Sequence, residues 1–111
     1  MFDHEKLDVY RCSVAFAGMA MKLLPQIPRE QAPLADQLRR ASSSVPLNIA
    51  EACGKPTAAD RARFFATARG SAMECAAILD IARLYGANHE NVEEGKRLLH
   101  RIVAMLSKLA L

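Results

Sequence analysis

The side chains best suited to chemistry in this 111-residue chain are three histidines, three cysteines, a run of serines and one glycine-lysine turn. A metal or hydrolytic centre needs such groups at ligand spacing or on facing elements. His4, His89 and His100 fall in separate segments, with no HxxxH or ExxH pair among them, and read as surface histidines. Cys12, Cys53 and Cys75 are odd in number, lack CxxC spacing and sit among apolar helical positions, which reads as reduced, buried thiols. Ser42, Ser43 and Ser44 have no nucleophile-elbow context. Gly54-Lys55-Pro56-Thr57 imitates the end of a phosphate loop, but Ile49 stands where the first glycine belongs. No catalytic residue, cofactor or metal is expected, and the chain is not read as an enzyme.

Charged and polar residues carry the remaining signals. Arg39, Arg40, Lys55, Arg61, Arg63 and Arg69 share their interval with only Glu51 and Asp60, a local surplus of four positive charges in a chain of net charge +3. Repeated around an oligomer, such a patch could hold phosphates in a salt-sensitive way. The alternative is a solvated face with intersubunit ion pairs. No aromatic platform accompanies the arginines, which argues against sequence-specific RNA reading. A second set, Asn48, Glu51, Arg69 and Glu74, interrupts otherwise apolar helical faces. It reads first as a hydrogen-bond network fixing helix register or subunit choice, and second as a polar pocket for a partner.

These residues must be positioned by helices. Just over half the chain is apolar, Trp is absent and aromatics are few, a mixture that favours helix packed on helix. A chain of this length fits one domain, 1–111, with a single core. Apolar residues recur at helical spacing from Lys6 to Leu24 along two stripes. Leu7, Tyr10, Val14, Ala17, Met21 and Leu24 form one, expected to face the core. Val9, Cys12, Phe16, Met19 and Leu23 form the other, roughly 150° away at the helical period, and are expected to meet another subunit.

Pro25, Pro28 and Pro33 mark a connector. The second helix begins near Pro33 or Leu34 and offers Leu34, Leu38, Ala41, Val45, Ile49 and Ala52 to the core. Pro46 removes an amide from its interior, so a kink is expected near Ser42 to Pro46, with the three serine hydroxyls bonding to carbonyls one turn earlier. Gly54 and Pro56 end it. Thr57 caps a third helix whose stripe is Phe65, Ala68, Ala72, Cys75, Leu79 and Ala82, and Gly86 closes it. A fourth helix, capped by Asn88 or Asn91, presents Val92, Gly95, Leu99, Ile102, Leu106 and Leu109. The expected fold is all-α, an antiparallel up-and-down four-helix bundle.

LDVYRCSVAFA, DQLRRASSSVPLNIAEACGK and RFFATARGSAMECAAILDIA together resemble the four-helix-bundle proteins encoded in intervening sequences of bacterial 23S rRNA genes, once labelled S23 ribosomal proteins. Ala52-Cys53-Gly54 and Val45 depart from the family's commoner residues without threatening the fold. The resemblance implies a ring-like homo-oligomer, a pentamer in number. More distantly the chain is similar to the accessory protein of diversity-generating retroelements, a basic bundle associated with reverse transcriptase and nucleic acid. The N-terminus lacks the order of a signal peptide and no run approaches the roughly 20 apolar residues of a membrane span, so a cytoplasmic protein with no membrane partner is expected. Two functions stand side by side. One is an oligomeric scaffold that engages RNA or DNA, or a nucleic-acid-processing protein, through its basic face; the other is an assembly module with no nucleic-acid role.

Overall fold

The computed structural model describes all 111 residues. Four helices carry the fold: α1 (Asp8–Leu23), α2 (Ala32–Cys53), α3 (Ala58–Leu84) and α4 (His89–Leu109). There is no strand. Short 3-10 turns at Asp3–Lys6, Leu24–Gln26 and Arg29–Gln31 flank α1 and fill the proline-rich connector, where Ile27 turns inward and is buried. Each helix packs mainly against its neighbours in sequence, and α1 closes the ring against α4.

Side-chain pairs give the direction of travel. Asp80 meets Lys96 at 2.6 Å, Arg83 meets Glu93 at 3.8 Å, and Arg69 donates to Ser107 Oγ at 2.8 Å. Every advance along α3 therefore meets an equal retreat along α4, so the two run antiparallel. The backbone N–H of Asn88, just before α4, donates to Gln26 Oε1, just after α1, at 2.7 Å. Short loops between sequential neighbours thus yield the up-and-down arrangement. The longest helix has 27 residues, about 40 Å at 1.5 Å per residue, and sets the 43 Å long axis of the molecule.

Local chemistry explains the helix ends. Thr57 Oγ1 accepts from the Asp60 N–H at 3.2 Å, and Asn88 Oδ1 accepts from the Asn91 N–H at 3.0 Å, so two helices start on side-chain caps. At the end of α3, Gly86 takes φ +101°, the Gly86 N–H bonds to the Arg83 carbonyl and the Ala87 N–H reaches back to the Ala82 carbonyl. This is a Schellman closure, for which a residue without Cβ is favoured. Within α2 the helix continues unbroken through Pro46. Ser42 and Ser43 hydroxyls donate to the carbonyls of Arg39 and Arg40, whereas Ser44 turns to the neighbouring helix instead.

The core contains the expected faces of α2, α3 and α4, with Leu34 only partly covered and Leu109 at the edge. On α1 the two stripes exchange roles. Val9, Phe16, Met19 and Leu23 are buried within the single chain and Cys12 packs half-buried against the core, so these five are not free for another subunit. Val14 and Met21 of the other stripe lie 47% and 70% exposed. Gly95 is buried with no side chain of its own; Leu79 of α3 comes closest to that space, 2.8 Å from where a Cβ on Gly95 would lie, and Phe16 and Met19 of α1 bound it at 3.5 and 3.8 Å. The inward stripe of α1 thus packs Phe16 beside a position on α4 that has no side chain of its own.

Candidate functional site

The α2–α3 corner brings together half of the basic residues singled out in the sequence. Lys55 Nζ lies 4.9 Å from the centre of the Phe64 ring and the Arg63 guanidinium 4.7 Å from it, two cation–π contacts on one half-buried aromatic. Arg61 donates to the Lys55 carbonyl at 3.0 Å, which ties the corner to the first turn of α3. Asp60, 3.5 Å from Arg63, is the carboxylate paired here. Both members of that pair are substantially exposed, 66% for Arg63 and 47% for Asp60, so it offsets little of the corner's positive field.

Arg39, Arg40 and Arg69 stand apart from this corner. Arg40 and Lys55 are separated by fifteen positions, from within α2 to just past its end at Cys53, about 22 Å at the helical rise. Arg39 is held by Asp36 at 2.7 Å. Arg69 points to the α3–α4 side and donates to Ser107 Oγ, which in turn donates to the Val103 carbonyl at 2.7 Å. The six basic residues therefore do not share one face of a single chain.

The polar set also assembles differently from the sequence reading. Ser44 and Ser71 hydroxyls meet at 2.8 Å between α2 and α3, and Asn48 Nδ2 donates to both the carbonyl and the hydroxyl of Ser44, each at 2.9 Å. Arg40 and Glu74 flank this cluster in a small polar depression of about 260 Å³. Asn48 thus belongs to an interhelical network, but Glu51 is exposed outside it and Arg69 is committed to α4. Ser44 and Ser71 were legible as partners only through the register of α2 against α3, which no single helical pattern contains.

The groups with catalytic potential lie dispersed. His4 stacks on Phe2 and meets Tyr10 edge-on near the N-terminus, His89 begins α4 and His100 sits in its exposed middle. No three His, Cys, Asp or Glu side chains come close enough to hold a metal. All three cysteines are free, yet only Cys75 is fully buried; Cys12 and Cys53 are half-covered. Burial, aided by the neighbouring Glu74 charge, pushes the Cys75 thiol up to about 12. Burial also raises the Cys53 thiol, with Asp3 adding to the rise and Arg61 opposing it.

Residues 5–108 match the model of the 23S rRNA-intervening sequence protein family. The chain belongs to this family. The match begins in the turn before α1 and runs to the last residues of α4, so the corner, the polar cluster and all four core faces lie within the family domain. A search of curated proteins finds no match. No helix in this member of the family is long and apolar enough to cross a membrane.

One surface escaped the sequence reading. After Glu94, α4 carries no further acid but presents Lys96, Arg97, His100, Arg101 and Lys108. The acids Glu90, Glu93 and Glu94 at the start of α4 offset all but one of the Lys and Arg charges over the whole helix, so no surplus stands out there as it does between α2 and α3. Their separation along the helix, acids in its first turns and bases beyond, was the available signal.

Proposed function

We propose that this family member is a non-enzymatic, homo-oligomeric scaffold of the cytoplasm that binds the phosphate backbone of RNA or DNA, or a protein that processes it, through its α2–α3 corner. The observation that carries this reading is the convergence of Lys55, Arg61 and Arg63 on one end of the bundle around Phe64. Three cations against Asp60, with Asp3 nearby but itself paired with Lys6, offer a sequence-independent contact whose reach multiplies when copies are repeated around a ring. Arg39 and Arg40 would extend the contact only along a ligand spanning about 22 Å of the helix. Three free cysteines accord with a reducing compartment.

Oligomerisation is supported by the outer face of α1, where exposed Val14 and Met21 are separated by Ala15 and Gly18. The pentameric number follows from the family resemblance. The same face favours the second reading, an assembly module with no nucleic acid. Anisotropy titration of a labelled RNA hairpin and a DNA duplex at several salt concentrations separates the two. The scaffold reading requires binding at low salt, with a log–log slope reduced by about 0.9 for each duplex phosphate contact removed in a Lys55→Gln, Arg63→Gln variant. Absence of binding at low salt, together with nuclease-resistant capture of one protein partner, overturns it in favour of the assembly module.

A further inference from the structure

Between α3 and α4 runs an open groove of about 780 Å³, floored by Met73, Ala76, Val103 and Ala104 and edged by cations of α4. Met73 stands 50% exposed in this groove and, with Val103 and Ala104, makes its floor a continuous apolar strip. The α3 wall continues past Met73 as exposed Gly70 and Ala66, so a third rod could lie close against α3. Both charged pairs along the groove are satisfied: Asp80 holds Lys96 and Glu93 lies near Arg83. Arg97 and Arg101, one turn apart on α4, form neither an ion pair nor a hydrogen bond and leave the rim with net positive charge.

We infer that the α3–α4 groove is the docking site for an acidic amphipathic helix of a partner protein, its apolar stripe on Met73, Val103 and Ala104 and its carboxylates on Arg97 and Arg101. Charge selects this occupant. The exposed apolar face of α1 in a second copy is a poor fit, since Lys22 borders it unpaired, Arg11 is only balanced by Asp8, and α1 has no other acid to offer the arginines. A nucleic-acid backbone would satisfy Arg97 and Arg101 but leave the apolar floor in water. An amphipathic helix with a carboxylate on each turn satisfies both at once, as helix-in-groove recognition requires. The groove is separate from the α2–α3 corner, and the inference stands or falls independently of nucleic-acid binding there.

The test uses the full chain and three labelled probes: a five-turn peptide with Leu and Ala on one face and Glu flanking it, the same composition scrambled to erase the stripe, and a single-stranded DNA oligonucleotide. Fluorescence anisotropy should rise with the striped peptide and not with the scrambled one, and any rise with the oligonucleotide should be insensitive to Ala104→Trp. Arg97→Gln with Arg101→Gln should weaken it by about tenfold, the scale of two rim ion pairs. Ala104→Trp, which fills the exposed groove without changing charge, should weaken it as much, and Lys55→Gln with Arg63→Gln should leave it unchanged. Circular dichroism verifies that each variant is folded. Equal binding of the scrambled peptide reduces the groove to a charged surface and overturns the inference. So does a failure of the striped peptide to bind, insensitivity to Ala104→Trp, or a change in light-scattering mass with Ala104→Trp, which would assign the groove to a second copy.

Discussion

Replacing Gly95 by alanine should destabilise the bundle even though alanine is the better helix former. Gly95 lies in the middle of α4, where the exchange gains about 1 kcal/mol of helix propensity. A Cβ there would fall 2.8 Å from Leu79 Cδ1, about 1 Å inside the 3.5–4.0 Å of ordinary carbon contact. The opposing atom is the tip of a flexible side chain, but Leu79 is fully buried, with Phe16 and Met19 bounding the same space, so it can yield only by shifting within the packed core. Overpacking of this kind costs about 1–3 kcal/mol. The net expectation is a loss of about 1 kcal/mol, whereas Gly70→Ala, with open space around its Cβ, should gain about 0.5–1 kcal/mol. Urea unfolding followed by circular dichroism, at one fixed protein concentration because assembly shifts apparent stability, reads both. A Leu79→Ala background removes the opposing atom, and there Gly95→Ala should turn stabilising, giving a coupling energy of about 1–3 kcal/mol. If Gly95→Ala stabilises the native background as much as Gly70→Ala does, or if the double variant is additive, Leu79 of α3 does not depend on the missing side chain at Gly95 for its place in the core.

Glutamate at both Val14 and Met21 should lower the light-scattering mass toward one protomer while leaving the helical spectrum intact, since both side chains are already exposed in the single chain; an unchanged mass removes α1's outer face as the assembly surface. Gly86→Ala should cost about 1–2 kcal/mol in thermal unfolding, the penalty for a side chain at positive φ. Cys75 should stay silent to a thiol reagent at pH 8 while Cys12 reacts, as mass spectrometry of the labelled peptides will record. The same thiol makes a pH prediction. Its folded value of about 12 lies above the ordinary thiol value of 9.0, so between these limits the native state holds more protons than the unfolded one. Stability is then intact below pH 9 and falls as pH rises toward 12, by at most about 1.4 kcal/mol per pH unit, and Cys75→Ala should lose this slope.

Three of the four core faces were legible in the sequence because each helix offered one continuous apolar stripe. Phe65, Ala68, Ala72, Cys75, Leu79 and Ala82 are all buried, as are Val92, Gly95, Leu99, Ile102 and Leu106. Caps were legible for a similar reason, since Thr57 and Asn88 bond to amides only three residues away. What sequence reasoning could not place were contacts that depend on register between helices. Arg69 was read as a ligand-facing cation and a network member together, but α3 against α4 puts Ser107 beside it. Glu51 shares a helix with Asn48, yet only Asn48 turns toward the Ser44–Ser71 pair. The basic surplus of residues 39–69 is real as a count, but it is divided along α2 by about 22 Å of helical rise.

The two stripes of α1 mark the boundary between these cases. Their side chains are of comparable size and polarity, so hydrophobic content alone cannot choose the inward face. The choice is made by packing against the other helices. Gly95 leaves a gap in an otherwise apolar stripe; Leu79 of α3 reaches furthest into it, and on the α1 side Phe16 and Met19 bound it at contact distance. A glycine inside a core stripe is thus a demand on the facing helix, and the order of residues along the chain already carries that demand. On α1, Phe16 lies inward beside Gly95 with Val9, Met19 and Leu23 on the same side, and Val14 and Met21 are left outside as exposed apolar side chains.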